Sequence, residues 1–189
     1  KAKGEVSLTR GAEALEAKRR GKHHAGDLLI TGPGGQIFLR MIDKRKMIIR
    51  PNSEVILESL RYDKTSTDEQ KTSVLKGAIR AVSGGIADRT KENVTFSAGT
   101  ATIGIRGTDI EVAIIRDGSS DRAGIYNYVY EGSTEMALVT GESAVVEKEQ
   151  SGFTPKDPTP GEALLQVLDD RPAFLSSSGF DTLMQQLTN

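Results

Sequence analysis

The chain has 189 residues with 25 Lys and Arg against 26 Asp and Glu, a length suited to one domain and a small appendage. Hydrophobic residues at 37% and charged residues at 27% are ordinary for a globular protein and exclude wholesale disorder. No run approaches the ~18 apolar residues of a membrane-spanning helix, and the absence of cysteine removes disulfides, thiolate nucleophiles and thiolate metal sites together.

Period-two alternation, the mark of half-buried strands, dominates from the start. Val6 and Leu8 open it. Runs at 37–42, 47–50 and 54–60 follow one another every nine or ten residues, with Asp, Gly, Pro or Asn between them. The spacing reads as an all-β meander, sandwich, roll or short solenoid without strict repeats. The segment 93–116 changes parity twice. Val94, Phe96 and Ala98 are even, Ile103 and Ile105 odd, and Ile110, Val112 and Ile114 even again. A strand keeps one buried face only at constant parity, so bends or bulges are expected at Gly99 and at Arg106–Asp109. Short strands are expected near 124–132, 135–140 and 143–148. Ser151 to Pro160 holds three prolines and reads as a linker or a loop lying on the domain.

Two short helices are expected after it. Thr159-Pro160-Gly161-Glu162 has capping-box spacing ahead of Leu164, Val167 and Leu168. Ser178-Gly179-Phe180-Asp181 repeats the signal ahead of a stripe of Phe180, Leu183, Met184 and Leu187. The expected architecture is therefore mainly β, a rolled or solenoid-like domain over 1–150. A proline-containing linker and helical tail over 151–189 is expected to pack on it.

Charge is unevenly placed. Residues 1–100 carry 19 basic and 12 acidic side chains, and residues 101–189 carry the other 6 and 14. The basic clusters Lys18-Arg19-Arg20 and Lys44-Arg45-Lys46 fall between apolar runs and lack interleaved aromatics. They read as solvated loops rather than a nucleic-acid surface. The chain begins at Lys1, so any targeting segment is expected to lie outside it.

Four segments taken together resemble one family. They are Gly26-Asp27 to Gly32, Pro51-Asn52-Ser53, Leu75 to Arg80, and above all Ala101-Thr102-Ile103-Gly104-Ile105-Arg106-Gly107-Thr108-Asp109. In this order, from about Gly4 to Arg116, they resemble the FecR-domain family. The resemblance implies an all-β domain in the periplasm or elsewhere in the envelope of a bacterium, with no catalytic residues to transfer. The best-known members resemble transmembrane regulators that pass a signal from an outer-membrane receptor to a sigma factor. This chain, without a transmembrane segment, is expected to fit the stand-alone exported members. Gly26, Asp27, Gly104, Arg106, Gly107, Thr108 and Asp109 form its structural motif.

Among candidate sites, Arg106 is expected to be partly buried as an internal brace to Asp27, Asp43 or Asp109, with an anion clamp as the alternative. Tyr126, Tyr128 and Tyr130 are three of the four tyrosines and share one strand face. They are the candidate ligand-binding strip, suited to a glycan or peptide, unless they merely cap the core. His23 and His24 are adjacent and point apart, so no metal site is expected. Gly32-Pro33-Gly34-Gly35 reads as a turn, not a phosphate loop. Nothing reads as an active site, and no cofactor is expected. The sequence thus points to a non-enzymatic binding or sensing domain that meets an envelope protein or a cell-wall glycan. A structural adaptor docking through its C-terminal helices is the alternative.

Overall fold

The period-two runs become strands in the computed structural model, which describes residues 1–15, 21–82, 84, 86 and 93–176. In chain order they are β1 (Ala2–Lys3), β2 (Val6–Arg10), β3 (Glu13–Leu15), β4 (Asp27–Thr31), β5 (Gln36–Arg40), β6 (Lys46–Ile49), β7 (Glu54–Arg61) and β8 (Glu69–Val82). There follow β9 (Val94–Ala98), β10 (Ala101–Ile105), β11 (Asp109–Ile115), β12 (Gly124–Glu131), β13 (Ser133–Leu138), β14 (Ser143–Glu147), β15 (Ser151–Pro155) and β16 (Gln166–Leu168).

Two sheets share one strand. Sheet A runs β1-β5-β6-β8-β11-β12-β15-β16. Sheet B runs β3-β2-β4-β7-β8-β9-β10-β13-β14. The first half of β8 pairs β7 and β9 in sheet B, and its second half pairs β6 and β11 in sheet A. Gly77 marks the switch with φ at 73°. A Cβ there would lie 2.2 Å from Ser53 Oγ and 2.7 Å from the Asn52 carbonyl oxygen. Ser53 holds this corner by accepting the Ala78 amide at 3.0 Å, while its own amide donates to Thr31 Oγ1 at 2.9 Å. Two of the sequence motifs, Pro51-Asn52-Ser53 and Leu75–Arg80, thus meet at one bend. Gly77→Ala is expected to cost at least about 1–3 kcal/mol from backbone strain alone. Chemical denaturation should show a lower midpoint with an unchanged slope, and an unchanged midpoint would refute this account of the bend.

After β8, pairs of strands alternate between the layers: β9–β10 in B, β11–β12 in A, β13–β14 in B, β15–β16 in A. Inward side chains of both sheets form one core that includes Met47, Ile79, Ile110, Val112 and Val129 from A and Leu57, Phe96, Ile103 and Met136 from B. Each such side chain contributes about 1.5–3 kcal/mol by leaving water. The parity changes read from the sequence are sharper than bulges. Gly99 lies in the turn of the β9–β10 hairpin, and Arg106–Thr108 carries the chain from sheet B to sheet A. Gly132 makes the return crossing, and a Cβ on it would sit 2.3 Å from the Gly107 carbonyl oxygen.

The rolled or solenoid-like body expected from the sequence does not form. Every pairing except β8–β9 is antiparallel, and the chain shuttles between two open sheets instead of coiling in one sense. The expected linker begins as β15, a fully buried strand paired to β12. The described residues contain no α-helix, which corrects the first of the expected pair. Thr159 and Glu162 do make capping contacts, the Thr159 amide donating to Glu162 Oε2 at 2.8 Å. Gly161, with φ at 82°, breaks the right-handed path, and the chain extends into β16 at the edge of sheet A. The second expected helix, with Phe180, Leu183, Met184 and Leu187, lies outside the described residues, as do Lys18, Arg19 and Arg20. A 3-10 helix, Ala173–Ser176, ends the described chain. No helix among the described residues is long and apolar enough to cross a membrane.

Candidate functional site

The side of sheet A facing away from the core is not solvated. One register row crosses it as Ile48, Arg80, Glu111, Tyr128 and Ser151, and the next as Ala78, Ala113, Tyr126 and Phe153. All nine are buried. Val129 and Asn127 point the other way, inward, so Tyr126, Tyr128 and Tyr130 share this outer face as their spacing requires. Tyr126 is 5% exposed and Tyr128 6%, while Tyr130 is half-buried.

At the centre is Glu111. Its Oε1 pairs with Arg50 Nε, and its Oε2 accepts the Tyr130 hydroxyl at 2.9 Å. Arg80 stands alongside, its guanidinium 3.8 Å from the Tyr130 ring centroid, and forks onto Asp109 with two bonds of 2.9 Å. Burial pushes the Glu111 carboxyl up to about 7, against the pull of Arg50, Tyr130 and Arg80. The same burial, with Glu111 adjacent, raises the Tyr130 hydroxyl and keeps it a donor. The basic first half and acidic second half of the chain therefore meet here, through Arg50–Glu111 and Arg80–Asp109.

What covers this face is the chain's own segment 169–176. Arg171 donates to the Tyr130 hydroxyl at 3.2 Å and lies 5.2 Å from that ring's centroid. Phe174 meets Tyr126 edge-on at 5.3 Å between centroids, and Tyr126 stacks on Phe153 at 4.5 Å. Pro172 and Leu175 are buried. The Asp121 carboxylate accepts the amides of Ala173 at 3.0 Å and Phe174 at 2.7 Å. Arg50 donates to the Phe174 carbonyl at 3.4 Å and Ser151 to that of Asp170 at 2.9 Å. The sheet face thus holds a peptide both by its side chains and by its backbone.

The other motif residues serve the frame. Asp27 is fully buried and accepts Arg10 through two bonds, of 2.6 Å and 3.0 Å, and the His24 amide at 2.9 Å. Burial alone would raise its carboxyl, but Arg10 and the amide hold it below the usual carboxylate range. Gly26, just before it, adopts φ of 88° at the mouth of β4. Arg106 is not a buried brace. It follows inward Ile105 at the crossing between sheets, remains half exposed, and pairs with Glu135 at 2.9 Å. The three aspartates considered for it belong to other arginines: Asp27 to Arg10, Asp43 to Arg45 and Asp109 to Arg80. Thr108 is buried, Gly107 takes φ of 73°, and Gly104 opens outward. Arg45, expected in a solvated loop, is fully buried. His23 Nδ1 sits 3.7 Å from Asp27, burial lowers the imidazole's pKa, and the described residues hold no cluster of three metal-ligating side chains.

Gly104 floors a shallow groove of about 420 Å³ on the outer side of sheet B, lined by Thr95, Thr102, Arg106, Glu135 and Ala137. It has no aromatic platform, which stacking on a sugar ring requires. The aromatic face of sheet A is the better candidate.

Arg50, Glu111 and Arg171 carry no signal in the sequence that singles them out, and Arg80 enters only as the end of the Leu75–Arg80 motif. The available signal was the unbroken apolar runs Ile37-Phe38-Leu39 and Met47-Ile48-Ile49, which mark strands covered on both faces.

A family model described as FecR protein matches residues 27–135. Two crystal structures, both described as a candidate anti-sigma factor from Parabacteroides distasonis, share the fold with TM-scores of 0.57 and 0.54. Each is 8% identical in sequence, and the match covers 76% of this chain and 59% of theirs. This chain therefore spans less than two thirds of either structure's length. No curated protein matches the chain.

Proposed function

The chain belongs to the FecR protein family, and on that premise we propose that it is a non-enzymatic recognition domain in signalling at the bacterial cell envelope, on the exported side of the membrane. Its partner is another protein, read through the outer face of sheet A that carries Tyr126, Tyr128 and Tyr130. One observation carries this reading: the face already grips a peptide, with Arg50 on a main-chain carbonyl, Asp121 on two main-chain amides and Tyr126 against a phenylalanine ring. Rigid aromatics with arginine beside them are the usual anchors of protein interfaces. The polar groups of the face are engaged with one another, which suits recognition.

Peptide and glycan arrays probed with the intact chain test the reading. Peptide binding is expected, reduced at least about tenfold by Tyr128→Ala or Tyr130→Ala in variants whose circular dichroism is unchanged, since interface tyrosines commonly carry ~1.4 kcal/mol or more. Binding to glycans alone, or peptide binding indifferent to both substitutions, would overturn it.

A further inference from the structure

We propose that residues 171–176 occupy the partner's own seat, and that the partner peptide binds by displacing them. The inference rests on the recognition reading above and names the chemistry of its ligand. The seat's occupant defines that chemistry. It takes a cation on the Tyr130 hydroxyl, a buried proline one residue on, an aromatic ring against Tyr126, and a buried leucine next to it. A fitting partner is a peptide that closes one 3-10 turn, with an arginine ahead of it and an aromatic–aliphatic pair three and four residues after that arginine.

Three features make exchange the natural mode. First, the polar network under the segment is largely complete without it. Glu111 keeps Arg50 and Tyr130, and Asp109 keeps Arg80, when Arg171 leaves. Second, the aromatic layer is not self-sufficient. Bare release would wet Tyr126 and Tyr128, now 5% and 6% exposed, together with Phe153, now 3% exposed. A substitute of similar chemistry removes that cost, so the segment leaves in exchange for a ligand rather than alone. Third, the tether is slight. The segment is preceded by the three-residue edge strand β16 and by 156–165, which carries no strand. Its main-chain hold on the body runs largely through Asp121, on the loop before β12. A tethered occupant acts at an effective concentration of order millimolar, so it sets a threshold that only a well-matched ligand passes.

Amide hydrogen exchange on the intact chain reads the exchange directly. The probe is the synthetic hexapeptide Arg-Pro-Ala-Phe-Leu-Ser, capped at both ends, at millimolar concentration. The Ala173 and Phe174 amides of the chain, now bonded to Asp121, are expected to exchange at least about tenfold faster with the probe present, while the amides of β11 and β12 stay protected. The same probe with both Phe and Leu replaced by Ala is expected to have no effect. Phe174→Ala in the chain, which removes the tethered occupant's ring and leaves Tyr126, Phe153 and Asp121 in place, is expected to raise the affinity for the hexapeptide at least about tenfold. Unchanged or slower exchange at Ala173 and Phe174, or equal affinity in Phe174→Ala, would overturn displacement. A partner that lands on the face and slows those same two amides would sink displacement and leave the recognition reading standing. A partner that binds elsewhere would sink the recognition reading itself.

Discussion

Arg50→Met is expected to destabilise the protein by about 3–5 kcal/mol at about pH 8, and by much less at about pH 5.5. The Glu111 side chain is fully buried, and Arg50 is the cation on its Oε1. Removing one partner of such a pair strands the other charge in a low-dielectric site. The pH dependence follows from Glu111. Its carboxyl titrates at about 7 in the folded chain, above the ordinary value of 4.5. A carboxyl raised on folding binds its proton more tightly in the folded state, so its contribution is full below about 4.5 and is lost as pH rises through about 7. Without Arg50 that pKa moves higher still, so the variant suffers most where the carboxylate is forced to stay charged. Below neutrality the proton neutralises Glu111, and what is lost is the pair of Arg50 hydrogen bonds to Glu111 and the Phe174 carbonyl, about 1 kcal/mol each. Denaturant midpoints of wild type and variant across this range measure the effect. A loss of equal size at every pH would show that Glu111 does not titrate as the geometry implies.

Arg45→Met should cost about as much, roughly 3–5 kcal/mol, with a different signature. Arg45 and Asp43 are both fully buried and 3.2 Å apart, and Arg45 also donates to Gln70. The single variant leaves Asp43 uncompensated. Adding Asp43→Asn removes the stranded charge, and the double variant is expected to regain more than half of the loss, because a well-packed neutral pair is tolerated where a lone ion is not. A double variant no more stable than the single one would locate the cost in packing instead.

The alternation of inward residues was legible wherever one face of a strand meets the core. Val94, Phe96 and Ala98, then Ile103 and Ile105, then Ile110 and Val112 all point where their parity assigns them. Reading the breaks in parity located Gly99 and Arg106–Asp109, though a single chain cannot tell a bulge from a crossing between sheets. The strand β8 was not legible as a strand. It changes parity at Gly77, from Gln70, Thr72 and Val74 to Ile79 and Ala81, and two of these five inward residues are polar. The capping box at Thr159 misled because its side-chain contacts also close an isolated turn, and Gly161 together with the open edge of β15 decides against a helix. The site was half legible. Spacing put the three tyrosines on one face, but Arg50, Arg80 and Glu111 beside them come from the β6–β7 connection, β8 and β11, which only the shared strand brings onto one face. Arg106 looked buried because glycines and isoleucines surround it in sequence, whereas its neighbours in space are solvent and Glu135.

The central claim is that the outer face of sheet A is where a partner protein binds. Amide hydrogen exchange of the intact chain, free and saturated with its strongest peptide-array binder, tests it most directly. The account predicts changes in residues 169–176 and in the loop that carries Asp121, with the strand-paired amides of β11 and β12 protected in both states. Changes confined to the groove around Gly104, or to the exposed hairpin tips at Ile42 and Val139, would contradict it.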